Sequence, residues 1–144
     1  MLRHRWDGKA QQLARSPFFA HGSAAERLAL AKAADLVAAE PGDALVHEGR
    51  RGHEFFAILD GTAEVRRNGK LVATLGPGDC FGELALLGDG TRTASVVAST
   101  AMELAVIDRR AFGAVLDDAP AFTRTLFAYL AGRLRRADER APAA

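Results

Sequence analysis

The chain of 144 residues holds a single cysteine, a single tryptophan and a single tyrosine. With only Cys80 there is no internal disulfide and no C-x-x-C metal or redox motif. The histidines, His4, His21, His47 and His53, are scattered and never recur at metal-ligand spacing, so no metal site is expected. Nineteen basic residues face eighteen acidic ones, which excludes the strong positive excess of a general nucleic-acid binder. No G-x-x-x-x-G-K-S/T loop and no acidic cluster for magnesium is present, so a nucleoside triphosphate is not the expected ligand. No apolar run reaches the length of a membrane span, and Met1 to Asp7 mixes charges with no apolar segment behind them. These absences lead to the expectation of a soluble, cytoplasmic protein without membrane or nucleic-acid partners.

What is present is a sequence 49% hydrophobic, of a size that suits one domain over residues 1–144. From about Lys9 to Lys32 the pattern is helical, interrupted at Ser16-Pro17, with Leu13, Phe18 and Phe19 as an apolar group. Ser23 and Glu26 have the spacing of a capping box for a second short helix, whose buried contacts are expected from Leu28 and Leu30. Between about 35 and 107, short apolar runs alternate with glycine-bearing turns, the pattern of a small barrel or sandwich. Asn68-Gly69 predicts a two-residue type I′ hairpin between strands at 62–67 and 70–75. Helical spacing returns over about 108–139. Asp108 is a candidate N-cap for the first of two helices, and Asp118 for a second entered through Pro120. On that last helix Phe122, Leu126, Phe127, Leu130 and Leu134 fall on one broad face, and Arg133 falls on it too. The class is therefore α+β.

The segment Phe81-Gly-Glu-Leu-Ala-Leu-Leu-Gly-Asp-Gly-Thr-Arg-Thr-Ala94 puts Glu83 and Arg92 among residues that look destined for the core. Glu83 to Leu87 has room for about one helical turn, whose first amides point outward and suit an anion. Gly82 allows close approach to that backbone, and Arg92 adds a forked cation for phosphate oxygens. A carboxylate accepts but does not donate, so Glu83 suits a sugar hydroxyl. An acid for ribose and a cation for phosphate describe a nucleotide site. The alternative is that Glu83 and Arg92 pair with each other and tie the loop down.

The same segment resembles the phosphate-binding cassette of cyclic nucleotide-binding domains, and Pro41-Gly-Asp-Ala-Leu-Val-His-Glu-Gly49, His53 to Val65 and Leu75-Gly-Pro-Gly-Asp79 resemble that family's β-roll. The likeness covers about residues 10–137. It implies an antiparallel β-roll flanked by N-terminal helices and two C-terminal helices, with the cassette at 81–94. It implies a non-enzymatic receptor for cAMP or cGMP, with no further cofactor. Gly82, Leu84 and Ala85 would lend backbone contacts, Glu83 would take the ribose 2′-hydroxyl and Arg92 the cyclic phosphate. Thr93 would meet the phosphate or the base edge, and Val65 and Val72 would pack on the base. In the family a threonine at the Thr93 position serves guanine and also occurs in sites taking both bases, while the alanine- and arginine-rich composition ranks cAMP ahead of cGMP.

The resemblance also implies that the C-terminal helix closes over the base and signals to an effector protein. Arg133, or Arg136 beside it, would stack on the purine as a lid; the alternative is that Arg133 snorkels to water. Only a few residues follow Arg140, too few for a helix-turn-helix unit, so the expectation is a stand-alone bacterial-type sensor, monomeric or weakly dimeric, or a regulatory fragment of a larger protein. A ligand-free interaction scaffold of the same fold is the competing function. A cupin-like metalloenzyme would need clustered histidines. Cys80 is expected to be a small core residue.

Overall fold

A computed structural model describes residues 2–140, with side chains placed over 8–139. Helix α1 (Leu2–Leu13) begins well before the expected Lys9, and α2 spans Ala24–Ala33, the chain between them turning rather than continuing as helix. Eight strands follow: β1 (Asp35–Ala39), β2 (Ala44–Val46), β3 (Glu54–Asp60), β4 (Ala63–Arg67), β5 (Lys70–Leu75), β6 (Cys80–Phe81), β7 (Ser95–Ala98) and β8 (Met102–Asp108). The single-turn helix α3 (Glu83–Leu87) interrupts them, and α4 (Arg109–Asp118) and α5 (Pro120–Arg140) complete the order.

The strands form two antiparallel four-stranded sheets, ordered β1-β8-β3-β6 and β2-β7-β4-β5. This is the expected β-roll with helices at both chain ends. Strand alternation divides the core in two. Phe56, Ile58, Leu104 and Val106 point between the sheets, where they meet Val46, Ala63, Val96 and Ala98. Phe55, Ala57, Ala105 and Ile107 point the other way, into a cluster with Leu13, Phe18, Phe19, Leu30, Phe112, Phe122 and Leu126 of the helical layer. Phe55 and Phe56 are thus both core residues, on opposite faces of β3. The β4–β5 hairpin turns at Asn68 (φ 53°) and Gly69 (φ 76°), with Arg67 opposite Lys70, as the Asn-Gly signal predicts.

Several local expectations fail for identifiable reasons. Leu28 is 43% exposed while Leu30 is buried; residues two apart on a helix lie about 200° apart and do not share a face. Phe127 and Leu134 are also largely exposed. They sit on the far margin of the α5 stripe, and Phe122, Leu126, Tyr129 and Leu130 fill the contact with the roll. Asp118 does not cap α5, because α4 runs through it and closes with the Ala119 amide on the Val115 carbonyl. The capping box is only half made. Ser23 Oγ accepts from the Glu26 amide at 3.1 Å, but the Glu26 carboxylate reaches across to accept from the Ala121 amide at 3.3 Å. Glu26 therefore covers an otherwise open amide of α5, and ties α2 to the root of that helix. Asp108 does cap α4, accepting from the Ala111 amide at 2.8 Å. Among the described residues no helix is long and apolar enough to cross a membrane.

Candidate functional site

The chain between β6 and β7 folds against the open end of the inter-sheet core. Gly82 takes φ 91°, a left-handed conformation, at the N-cap of α3, and no side chain caps that turn. A Cβ at Gly82 would also stand 2.5 Å from the Glu54 carbonyl oxygen, so the sharp bend needs glycine twice over. The bend sets the start of α3 along one side of a cavity of about 510 Å³. That size falls in the range of small-ligand pockets.

Every residue singled out from the sequence lines this cavity. Gly82, Glu83, Leu84 and Ala85 form one wall, Arg92 and Thr93 the adjoining one, Val65 and Val72 the sheet face, and Arg133 the side toward α5. Val72 and Leu84 are 45% and 48% exposed, apolar surface in the cavity wall. Arg136, the alternative lid residue, lines it too, and the structure also brings in Arg67, Asp79 and Tyr129.

The two charges of the loop do not pair with each other. Arg92, 5% exposed, donates from Nη1 to the Gly82 carbonyl and from Nη2 to the Glu54 carbonyl, both at 3.1 Å. Its guanidinium carbon lies 5.9 Å from the ring centre of Phe56, which is itself stacked on Phe81 at 4.6 Å. Burial pulls the Arg92 pKa down, and Glu54 and Glu83 pull it back up, so the guanidinium stays charged. Gly52 makes room for it: a Cβ there would collide with the guanidinium.

Glu83, 1% exposed, is held instead by Arg133, whose Nη1 donates to Oε1 at 2.8 Å. Burial pushes the Glu83 carboxyl above its ordinary range, against the pull of its own backbone amide and of Arg133. The Cys80 thiol lies 3.9 Å from Glu83 Oε2 and is pushed well up by its own burial and then by Glu83, which keeps it protonated and unreactive. Tyr129 is the second tether of α5. Its hydroxyl donates to Asp79 Oδ1 at 3.2 Å and approaches the Cys80 carbonyl at 3.4 Å, and its ring packs edge-on against Phe18. Asp79 in turn accepts from the Gly76 amide at 2.9 Å, so the latch closes on the turn that feeds the cassette.

The family model described as "Cyclic nucleotide-binding domain" matches residues 36–119. The chain belongs to the cyclic nucleotide-binding domain family. The regulatory subunit of the cAMP-dependent protein kinase of Schizosaccharomyces pombe is 41% identical over 95 residues, covering 65% of this chain and 23% of that protein. The cGMP-dependent protein kinase of Toxoplasma gondii is 38% identical over 110 residues, covering 76% of this chain and 10% of that protein. The chain thus spans less than a third of the length of either curated relative. Among solved structures, the catabolite activator protein of Thermus thermophilus superposes with a TM-score of 0.74 at 32% identity, covering 85% of this chain and 60% of that one.

Within this family fold, four features of the pocket were not legible in the sequence. Gly52 and the Asp79–Tyr129 latch act through contacts between distant segments, with no local spacing to mark them. Arg67 sits beside a hairpin turn, where a charge ordinarily marks a solvated strand edge, yet it lines the cavity. The Glu83–Arg133 pair replaces the expected Glu83–Arg92 alternative.

Proposed function

We propose that this domain is a non-enzymatic receptor for a 3′,5′-cyclic purine nucleotide, cAMP or cGMP, the helices and the β-roll acting as one unit over residues 1–144. The carrying observation is Arg92: a buried cation that makes no ion pair among the described residues and lines the cavity beside the N-terminal backbone of α3. A cyclic phosphate is an anion of matching size that the guanidinium and the first amides of α3 would share. Glu83 would accept from the ribose 2′-hydroxyl and Val65 and Val72 would pack on the base, with Gly82, Leu84 and Ala85 offering backbone and Thr93 a hydroxyl.

Ribose and Arg133 compete for the same carboxylate. Ligand would therefore displace the Arg133 guanidinium from Glu83 and leave it, with Arg136, to close over the base. The tip of α5 would change its resting place while its root, fixed by Phe122, Leu126 and the Glu26 contact, holds still. Any such shift requires the ligand to favour one position of α5 over the other. A moved helix surface is a signal to an effector protein, and the kinase regulatory subunit among the relatives supports an effector of that kind.

Titration calorimetry with cAMP and cGMP tests the reading, with 5′-AMP as control. Micromolar binding of at least one cyclic nucleotide, with a thermal shift, is expected. Absence of heat and of any thermal shift at millimolar ligand would leave the fold as a ligand-free interaction scaffold.

A further inference from the structure

The sheet wall of the cavity carries a cation to which the proposed function gives no task. Arg67 ends β4 two residues beyond Val65, and both line the cavity. Its guanidinium is fixed from one side, Nε donating to the Thr93 carbonyl oxygen at 3.1 Å. That bond leaves both Nη groups available, and no carboxylate pairs with Arg67 among the described residues. The nearby acids are engaged elsewhere. Glu64 takes both its oxygens to Arg66 Nη2 at 3.0 and 3.2 Å, and Glu48 accepts from the Asn68 amide at 2.9 Å.

A guanidinium donates and never accepts, whereas the Thr93 hydroxyl does either and cannot by itself choose between purines. Guanine presents two acceptors on one edge, N7 and O6; adenine presents N7 beside an amino donor. A donor-only group anchored next to the base wall satisfies the first edge and faces a like donor on the second. We propose that Arg67 is a specificity-determining residue that reads the base edge and selects a 6-oxopurine cyclic nucleotide over its adenine counterpart. The inference rests on the reading of this pocket as a cyclic nucleotide site, and it reverses the ranking that composition alone gives.

Calorimetry with cGMP, cIMP and cAMP on the wild type, Arg67→Ala and Arg67→Gln tests it, with thermal melting to verify that each variant folds. The wild type is expected to bind cGMP and cIMP about tenfold or more tighter than cAMP. Arg67→Ala should bring all three within about threefold, and Arg67→Gln, whose amide matches the adenine N6/N7 edge, should turn the preference toward cAMP. The cIMP arm isolates the 6-oxo group from the 2-amino group. Equal weakening of all three ligands in Arg67→Ala would make Arg67 a second phosphate contact and overturn the proposal. A wild type that prefers cAMP, or a preference unchanged by either substitution, overturns it too. If no cyclic nucleotide binds the folded wild type, the receptor reading itself fails, an outcome distinct from binding without base preference.

Discussion

Arg92 and Glu83 lie on one loop, line one cavity and are buried to nearly the same degree, yet they are held in opposite ways. Arg92 is gripped by the carbonyls of Gly82 and Glu54, backbone atoms that move only if the loop or the start of β3 moves. Glu83 is gripped by Arg133, a side chain 45% exposed near the far end of α5. Under the proposed function, the fold builds the anion end of the pocket in advance and leaves the sugar end under a removable plug. Preassembly keeps the cost of ordering low at the contact that carries most charge. The plug places the dependence on ligand where a helix is free to respond.

The comparison is broken most severely by Arg92→Ala. It removes the preassembled end outright, and a buried charge-assisted contact is worth about 2–3 kcal/mol. Calorimetry should show a loss of about a hundredfold for every cyclic nucleotide, with no change in the order among them. An unchanged affinity would end the phosphate assignment. Gly52→Ala is the sharper version, since it keeps the charge and displaces it. The added Cβ would meet the Arg92 guanidinium, so the side chain must leave its two carbonyls. A loss of about tenfold is expected, because misplacement of a retained group costs less than its deletion. Equal affinity in this variant would mean that the position of Arg92 is not preset.

The difference between the two ends also explains what the sequence could and could not reveal. The anion end is written almost wholly in a contiguous stretch: Gly82 for the bend, Glu83 to Ala85 for the turn, Arg92 and Thr93 for the return. Local geometry places such residues, whereas Val65 and Val72 are implied only by the family resemblance, and the register shift that pairs Val65 with Ala73 is not written in the Asn68-Gly69 turn. The plug depends on how α5 docks, which is decided by Phe122, Leu126 and Tyr129 against Phe18 and Phe55. Helical periodicity put Arg133 on the docked face but could not say which acid it would meet. The same limit hid the Glu26–Ala121 contact: a capping box is a local pattern, and the carboxylate found a better use on a distant helix.

Glu83→Gln tests the gated end. The amide keeps the shape and loses a charge-assisted acceptor for the ribose hydroxyl, so affinity should fall about tenfold. Stability of the ligand-free domain should move the other way. Burial raises the Glu83 pKa in the folded state, so the folded chain holds that proton more tightly than the unfolded chain does. The stability tied to this proton is complete below the ordinary carboxylate pKa and is lost as pH rises through the raised folded value. At neutral pH the glutamine variant should therefore melt higher than the wild type, and the gap should close on acidification through that window. Melting curves across pH check it; a gap that widens on acidification would mean that Arg133 outweighs burial and holds the carboxylate ionised.

Arg133→Ala carries the smallest magnitude and the most informative sign. The ion pair it breaks is half exposed, so its worth is about 0.2–1 kcal/mol, a change of less than about fivefold in affinity. If Arg133 serves chiefly as a plug on Glu83, removing it frees the carboxylate and cyclic nucleotide binds slightly tighter. If it serves chiefly as a cation stacked over the base, removing it weakens binding by a similar factor. The double variant with Glu83→Gln separates the two, because a plug has nothing to block once the carboxylate is gone. The displacement argument expects tighter binding in Arg133→Ala and no further gain in the double variant. Weaker binding of similar size in both backgrounds would instead make Arg133 a lid that happens to rest on Glu83, and the sugar end would be as preassembled as the anion end.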